Sequence, residues 1–138
     1  MGLDNGIILH TKKKINTKER PGFIKLMPST IKESDFPYSY EICYWRKCWN
    51  IRHEVAYAIN APLDYVAKCG LNVNDIKNIW RAIESLDSRL AWRDADSIWS
   101  YDEISGHLNN DLISIEWLIH YMKDHQEEEY MVEFYDSY

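Results

Sequence analysis

Long apolar runs are missing from this 138-residue sequence, and none reaches the roughly 18 consecutive apolar residues that a membrane-spanning helix needs. The N-terminus also lacks the pattern of positive charge followed by an apolar run that marks a secretory signal. Cysteine is sparse, and Cys43, Cys48 and Cys69 form an odd set with no CxxC pair, which is typical of a reducing compartment. These absences predict a cytoplasmic protein that is not inserted in a membrane.

Motifs of the common enzyme classes are missing as well. The chain has no GxGxxG, no GxxxxGK followed by Ser or Thr, and no GxSxG, and no Ser/His/Asp or Cys/His arrangement can be assembled from sequence order. No two Cys/His pairs stand at metal-ligand spacing, so we expect no zinc site. We therefore assign no catalytic residue, no metal and no cofactor, and the sequence favours a protein that is not an enzyme.

Aromatic residues are what the sequence has in excess. Six Trp and ten Tyr contribute large, rigid apolar side chains whose polar tips need hydrogen-bond partners. Two interpretations are open, an aromatic-rich core and an aromatic-lined surface for a ligand or partner, and we favour the core because large aromatics dominate it. With 46% apolar and 28% charged residues, and with no repeat or linker, the chain is expected to form a single α+β domain over residues 1–138.

Charge is distributed unevenly along this acidic chain, which has a net charge of −6. Residues 1–32 carry seven Lys/Arg and two Asp/Glu, a net of +5, whereas residues 94–138 carry one Lys and twelve acids, a net of −11. One interpretation is that the two ends lie close together and neutralise each other. The other is a nucleic-acid patch on the basic front or an acidic decoy face on the C-terminal part, but a negative protein repels phosphate overall. We favour the first and expect no nucleic-acid partner.

The two ends of the chain carry strand patterns. Ile7-Ile8-Leu9 is a short β-branched run bounded by Gly6, and it predicts a first strand in which His10 is a histidine with a hydrogen-bond partner. Phe23–Leu26 predicts a second short strand. The alternation over residues 130–135 predicts a closing strand. Because each terminal strand is too short to be stable alone, we expect the two to pair.

Helical periodicity fills the region between these strands. A first helix is predicted through Tyr44, Cys48, Ile51, Val55 and Ala58, ending near Asn60 because Pro62 cannot continue it. A second helix is predicted to begin at Asn74. A third is predicted to open at residues 100–103, to break at Gly106 and Asn109-Asn110, and to be followed by a last helix over residues 112–122. The expected fold is α+β, with three to four helices packed on a small sheet that includes the paired N- and C-terminal strands.

The densest cluster of polar and aromatic residues is the segment Glu41-Ile-Cys-Tyr-Trp-Arg-Lys47, which the periodicity places on the first helix. A guanidinium at Arg46, beside Lys47, is able to hold a carboxylate or phosphate with two hydrogen bonds. The alternative is a surface Arg/Lys pair, or an Arg46 bound to a structural acid, and we favour it because most exposed ion pairs contribute little.

Three separated segments resemble an uncharacterised family of small phage and bacterial proteins. Members begin with Met-Gly-Leu-Asp, as at Met1–Asn5 here, and carry Glu-x-x-Tyr-Trp-Arg-Lys ahead of an amphipathic helix, as at Glu41–Lys47. They end with an aromatic-Asp-Ser-aromatic tail, as at Phe134–Tyr138, and Leu71–Ile76 is similar to the start of their second helix. The resemblance implies a phage or prophage origin and a location in the cytoplasm of the bacterial host cell, and it implies no activity.

The resemblance also suggests a site, because its segments are the two termini and the start of the first helix. If the terminal strands pair beside that helix, polar residues of all three segments are expected to converge. The candidate ligand-binding residues are Asp4, Glu41, Tyr44, Arg46, Lys47 and Asp136.

Two functions remain open from the sequence. The first is a non-enzymatic phage or prophage accessory protein that binds a host or phage protein. The alternative is a small-ligand or phosphate-binding domain, an enzyme in one version, built on Arg46 and Lys47 with Glu41 or Asp136 as general base.

Overall fold

A computed structural model describes residues 4–28, 35–46, 48–93 and 101–137, and of residues 87–93 and 101–107 it describes the backbone alone. The described elements are β1 (Asp4–Thr11), β2 (Lys25–Met27), β3 (Tyr38–Arg46), α1 (Trp49–Ala58), β4 (Lys68–Cys69), α2 (Val73–Arg93), α3 (Tyr101–Asp124) and β5 (Tyr130–Ser137), with 3-10 turns at Thr17–Glu19 and Glu127–Glu129. The expected α+β class is confirmed, with three α-helices in the described residues.

One antiparallel sheet contains all five described strands, in the order β2-β3-β1-β5-β4. The first strand of the chain is therefore central, and it takes β3 on one side and the last strand, β5, on the other. Seven of its eight residues are buried, which explains the β-branched run that predicts it. The expected pairing of the terminal strands is confirmed.

The helices pack on one face of this sheet. Ile7 and Leu9 of β1, with Trp45 of β3 and Phe134 of β5, enter the same hydrophobic core as the buried residues of α1, α2 and α3. Ile8 points to the other face, and it is buried although it does not belong to that core cluster. The sheet thus has a helix-covered inner face and an outer face on which Ile8 is still buried.

The segment that we predicted as the start of the first helix is strand β3 instead, so Glu41, Tyr44 and Arg46 lie on a strand. The register moves from the pair Ile7↔Cys43 to the pair Ile8↔Glu41, which leaves Ile42 as the extra residue of a β-bulge. The bulge buries two adjacent residues and breaks the strict alternation that marks a strand. Pairing with β1 and β2 then outweighs the apparent helical spacing, because β propensity depends mainly on packing within the sheet.

Helix α1 begins only at Trp49, and it ends close to the predicted position. Asn60 has a φ of 55°, and its N–H donates to the carbonyl of Tyr57 at 3.3 Å. The N–H of Ala61 donates to the carbonyl of Ala56 at 2.9 Å, which completes a Schellman termination. Asparagine tolerates this left-handed conformation better than most residues do.

Two predictions for the later helices were wrong in detail. Helix α2 is capped by Asn72 rather than Asn74, because the side chain of Asn72 accepts from the N–H of Asp75 at 2.8 Å while Asp75 accepts from the N–H of Asn72 at 3.0 Å. Helix α3 runs unbroken through Gly106 and Asn109-Asn110. A glycine inside a helix costs only about 1 kcal/mol. Burial of the following apolar face, which includes Ile115 and Leu118, outweighs that cost.

Gly6 occupies a point of close approach in the centre of the sheet. A Cβ at this position would lie 2.5 Å from the carbonyl oxygen of Cys43 and 2.5 Å from Cε1 of the Tyr135 ring. The aromatic ring therefore crosses the space that any larger residue at position 6 needs. Because the Cys43 contact is backbone, it cannot be relieved by a rotamer change.

Replacing Gly6 with Ala is expected to lower the free energy of unfolding by about 1–3 kcal/mol, because the sheet must shift to admit the methyl group. The matched control is Gly22→Ala, since an added Cβ there meets nothing within 4 Å. That control should change stability by about 0.5 kcal/mol or less. Urea unfolding followed by circular dichroism measures both, and equal midpoints for the two variants would show that position 6 is not constrained.

Candidate functional site

The outer face of the sheet carries four of the six candidate residues predicted from the sequence, Asp4, Glu41, Tyr44 and Arg46. In an antiparallel pair, residues that face each other across the register share a face. The outer face is formed by Asp4, Gly6, Ile8 and His10 of β1, by Ser39, Glu41, Tyr44 and Arg46 of β3, and by Met131, Glu133, Tyr135 and Ser137 of β5. Two polar groupings lie on it, one at each end of β1.

The first grouping contains four of the predicted site residues. The hydroxyl of Tyr44 donates to Oδ1 of Asp4 at 2.8 Å, and Arg46 lies opposite Asp4 in the register. Burial, and after it the hydrogen bond to Asp4, raises the pKa of Tyr44, while the nearby Arg46 charge acts in the opposite direction. Glu41 adds to both this shift and the raised pKa of Tyr135. These tyrosines are therefore neutral hydrogen-bond donors near pH 7.

Asp136 does not join this grouping. It pairs with Asn5 in the register, one position away from the Asp4↔Arg46 pair, so its side chain lies on the inner face. There it binds Arg52, a residue of α1, rather than Arg46. The expected convergence of both termini on one polar site is therefore divided between the two faces, and Lys47 lies outside the described residues.

Arg52 and Asp136 form a buried two-pronged ion pair that sequence reasoning missed. Nε and Nη2 of Arg52 donate to Oδ1 and Oδ2 of Asp136, each at 2.9 Å, and the two side chains are only 7% and 3% exposed. Asn5 also donates to Oδ1, and Nη2 donates to the carbonyl of Leu63 at 2.7 Å. The pair therefore fixes α1, both terminal strands and the loop after α1 to one another. Its tight geometry fits a structural role better than that of a general base.

The second grouping on the outer face is a chain of three residues from three adjacent strands. Ser39 Oγ lies 2.8 Å from Nδ1 of His10, and Nε2 of His10 lies 2.8 Å from Oε1 of Glu133. The carboxylate of Glu133 only accepts, so Nε2 of His10 donates to it, and in the neutral ring Nδ1 accepts from the Ser39 hydroxyl. The expectation that His10 has a hydrogen-bond partner is confirmed.

This chain has the connectivity of a Ser-His-acid relay, which polarises a serine hydroxyl toward an imidazole. Ser39 and His10 are both fully buried, however, so a substrate has no access to the hydroxyl. These hydrogen bonds give both ring nitrogens of the buried His10 a partner, and they join β3, β1 and β5 through their side chains. Sequence order gives no signal for it, because Ser39 and Glu133 lie 29 and 123 residues from His10.

Exposed large apolar side chains of α1 and of the loop that follows it form a group that we call the aromatic surface. We define it by Trp49, Tyr57, Leu63 and Tyr65. These are four of the seven large apolar side chains that are exposed in the described residues, and Tyr57 and Tyr65 are 82% and 72% exposed. The guanidinium of Arg52 lies 5.8 Å from the Trp49 ring centroid and binds the Leu63 carbonyl, so the ion pair supports both halves of this surface.

Two further findings concern the described residues as a set. Over residues 4–28, 35–46, 48–93 and 101–137, no helix combines the length and apolarity needed to cross a bilayer. Within the same ranges, no three His, Cys, Asp or Glu side chains are grouped so that they are able to hold a metal ion.

Removing one partner of the Arg52–Asp136 pair is expected to leave a buried charge without compensation. Arg52→Met and Asp136→Asn should each cost several kcal/mol, on the order of 3–5, whereas the double variant should cost clearly less than the sum of the two. Arg46→Met is the control, because Arg46 is exposed and should change stability by about 0.5 kcal/mol or less. Denaturant unfolding gives all four values, and strictly additive losses would mean that the two residues do not interact.

Glu133 makes stability depend on pH in a defined direction. Its hydrogen bond with His10 lowers the pKa of Glu133 below the ordinary value of 4.5, although burial opposes this. Because the folded pKa is the lower one, the contribution is complete above 4.5 and is lost as the pH falls through the folded value. Glu133→Gln should therefore be about 1 kcal/mol less stable than wild type near neutral pH. The difference in the free energy of unfolding between the variant and the wild type should shrink near pH 3. If unfolding curves give the same difference at neutral pH and near pH 3, the assignment is contradicted.

Comparisons of the chain with protein-family models, with curated proteins and with solved structures found no significant match. The geometry of the chain itself is therefore the basis for a functional proposal.

Proposed function

We propose that this protein acts by binding another protein through the aromatic surface formed by Trp49, Tyr57, Leu63 and Tyr65. The observation that carries the proposal is the concentration of exposed large apolar side chains there, with Tyr57 and Tyr65 82% and 72% exposed. The proposal takes the partner to be a host or phage protein and the chain to be a small accessory protein of phage or prophage type in the bacterial cytoplasm.

The residue types support a protein partner. Tyr and Trp are enriched among the residues that dominate binding energies, because they contribute a large contact area with few rotatable bonds. The surface is also preorganised, since the buried Arg52–Asp136 pair holds α1 and fixes the loop at Leu63. A fixed surface loses less conformational entropy on association than a mobile one.

The outer face of the sheet offers less support for the alternative, a ligand or phosphate site on Arg46 and Lys47 with Glu41 or Asp136. Asp136 is bound to Arg52 on the inner face, so it is not placed to act with Arg46. The Ser39–His10–Glu133 chain is closed to solvent at Ser39. Binding through an exposed surface agrees with this geometry better than chemistry on the sheet does.

Replacing Tyr57 and Tyr65 with Ser is expected to weaken partner binding by roughly 100-fold or more, the loss typical of central interface aromatics, without changing the thermal midpoint. The matched control is Phe23→Ser with Ile113→Ser, which removes two apolar side chains that are 42% and 50% exposed elsewhere. The partner is first captured by crosslinking to the wild-type chain in several bacterial lysates, then purified and titrated by calorimetry.

Equal affinity of the tyrosine variant and the control variant would overturn the proposal. Sedimentation of the purified chain distinguishes one further occupant of the surface. If the wild type is a dimer and the tyrosine variant is a monomer, the occupant is a second copy of this chain and the proposed host or phage partner is wrong.

A further inference from the structure

A cavity of about 240 Å³ opens between the basic loop after β1 and the C-terminal end of α3. The residues that line it are distant in the sequence from those of the aromatic surface. We call it the lysine pocket. It is lined by Lys12, Lys13, Lys14, Ile15, Glu19, Tyr121, His125 and Glu129. None of these residues takes part in the groupings described above.

One wall of the lysine pocket is a stack of aromatic rings at the C-terminal end of α3 and the residue after it. The rings of Tyr121 and His125 lie 3.9 Å apart at an angle of 17°, and the ring of Trp117 lies 5.4 Å from Tyr121 at 30°. Nδ1 of His125 donates to the Tyr121 carbonyl at 2.8 Å, so the imidazole is held in place and Nε2 is left as its acceptor when the ring is neutral. Trp117 donates to the carbonyl of Glu19 at 2.9 Å, which ties this wall to the facing loop.

The opposite wall is a lysine-rich loop whose backbone is fixed at successive points. The N–H of Lys12 donates to the carbonyl of Glu129 at 3.1 Å, and the Thr11 hydroxyl donates to the carbonyl of Lys13 at 2.7 Å. The N–H of Ile15 donates to the hydroxyl of the buried Tyr40 at 2.8 Å. Three consecutive lysines therefore line the pocket on a backbone that is held in place, an arrangement that attracts anions.

Two carboxylates place negative charge in the pocket beside the lysines. Glu19 and Glu129 line it together with the lysines, so a bare anion meets attraction and repulsion at once. Burial, and after it the charge of Glu129, raises the pKa of Tyr121 to about 12, so its hydroxyl remains a donor near neutral pH. The matching ligand combines an anionic group, a planar ring and hydrogen-bond donors.

We infer that the lysine pocket binds a nucleoside phosphate, with the phosphate on the lysines and the base stacked on the His125–Tyr121 wall. Base stacking on aromatic rings tolerates any base, and the ribose hydroxyls supply donors for Glu19 and Glu129. A free mononucleotide fits better than a nucleic-acid chain, because the pocket is small and the protein carries a net charge of −6. The inference is independent of the proposed protein partner.

Thermal unfolding of the full chain with the common ribonucleoside monophosphates tests this inference. At least one should raise Tm by about 5–10 °C at a concentration near a hundred times its Kd. The matching nucleoside and inorganic phosphate should each bind at least 10-fold more weakly, because each lacks one half of the recognised chemistry. Inorganic phosphate binding as tightly as the nucleotide would overturn the stacking role, and the absence of any shift with every monophosphate would overturn the inference.

Matched variants distinguish binding in the lysine pocket from a general effect of removing positive charge. Lys13→Gln with Lys14→Gln should reduce nucleotide affinity by 10-fold or more, and His125→Ala should reduce it through loss of the ring. Lys25→Gln with Lys77→Gln removes the same charge from two other positions and should leave affinity within about 2-fold. An equal loss in both lysine variants would overturn the site.

Two wild-type measurements complete the test and do not depend on how variants fold. Amide chemical-shift changes on nucleotide addition should concentrate at residues 12–15 and 121–129, and changes confined elsewhere would overturn the placement. A 5′-phosphorylated oligonucleotide should bind more weakly than the mononucleotide, and tighter binding would make the end of a nucleic acid the source of the phosphate.

Discussion

The pairing of β1 with β5 is the interaction on which the other features of the molecule depend. It joins the first described strand to the last, each eight residues long, in one register. That register places Asp136 on the inner face, where Arg52 reaches it, and sets Glu133 within hydrogen-bond distance of His10 on the outer face. It also carries the chain beyond β1 to Lys12, whose backbone binds the loop before β5. A slip of one residue would exchange the two faces of the strand and abolish the first two contacts together.

The same pairing brings oppositely charged segments from the two ends of the chain together. The basic loop at residues 12–14 and the acidic turn Glu127–Glu129 are at opposite ends of the chain, but the β1–β5 register brings them side by side. Lysine and glutamate side chains therefore meet at the lysine pocket. The pairing also creates a mixed-charge cavity with an aromatic wall.

Sequence patterns predicted the elements whose local preference agrees with their tertiary setting, and they failed where the two conflict. Strands β1 and β5 and the end of α1 are of the first kind. Strand β3 is of the second kind, because the bulge at Ile42 breaks its alternation and the run from Tyr44 to Ala58 has apparent helical spacing. For the site, two of the candidate residues, Asp4 and Tyr44, are hydrogen-bonded to each other. Contacts set by register alone, such as those of His10, leave no trace in a linear sequence, since their partners are far away along the chain.

The aromatic excess divides into two populations with different physical roles. Trp45 is fully buried and its Nε1 donates to Asp111 of α3 at 2.7 Å, and the hydroxyl of the buried Tyr40 accepts from a backbone N–H. These residues satisfy the expectation of an aromatic core, because a buried polar tip is tolerated only when it is hydrogen-bonded. Tyr57 and Tyr65 are mostly in solvent, so their burial does nothing for folding. Their apolar area is still available to be removed from water, and association with a second molecule is the process that would remove it.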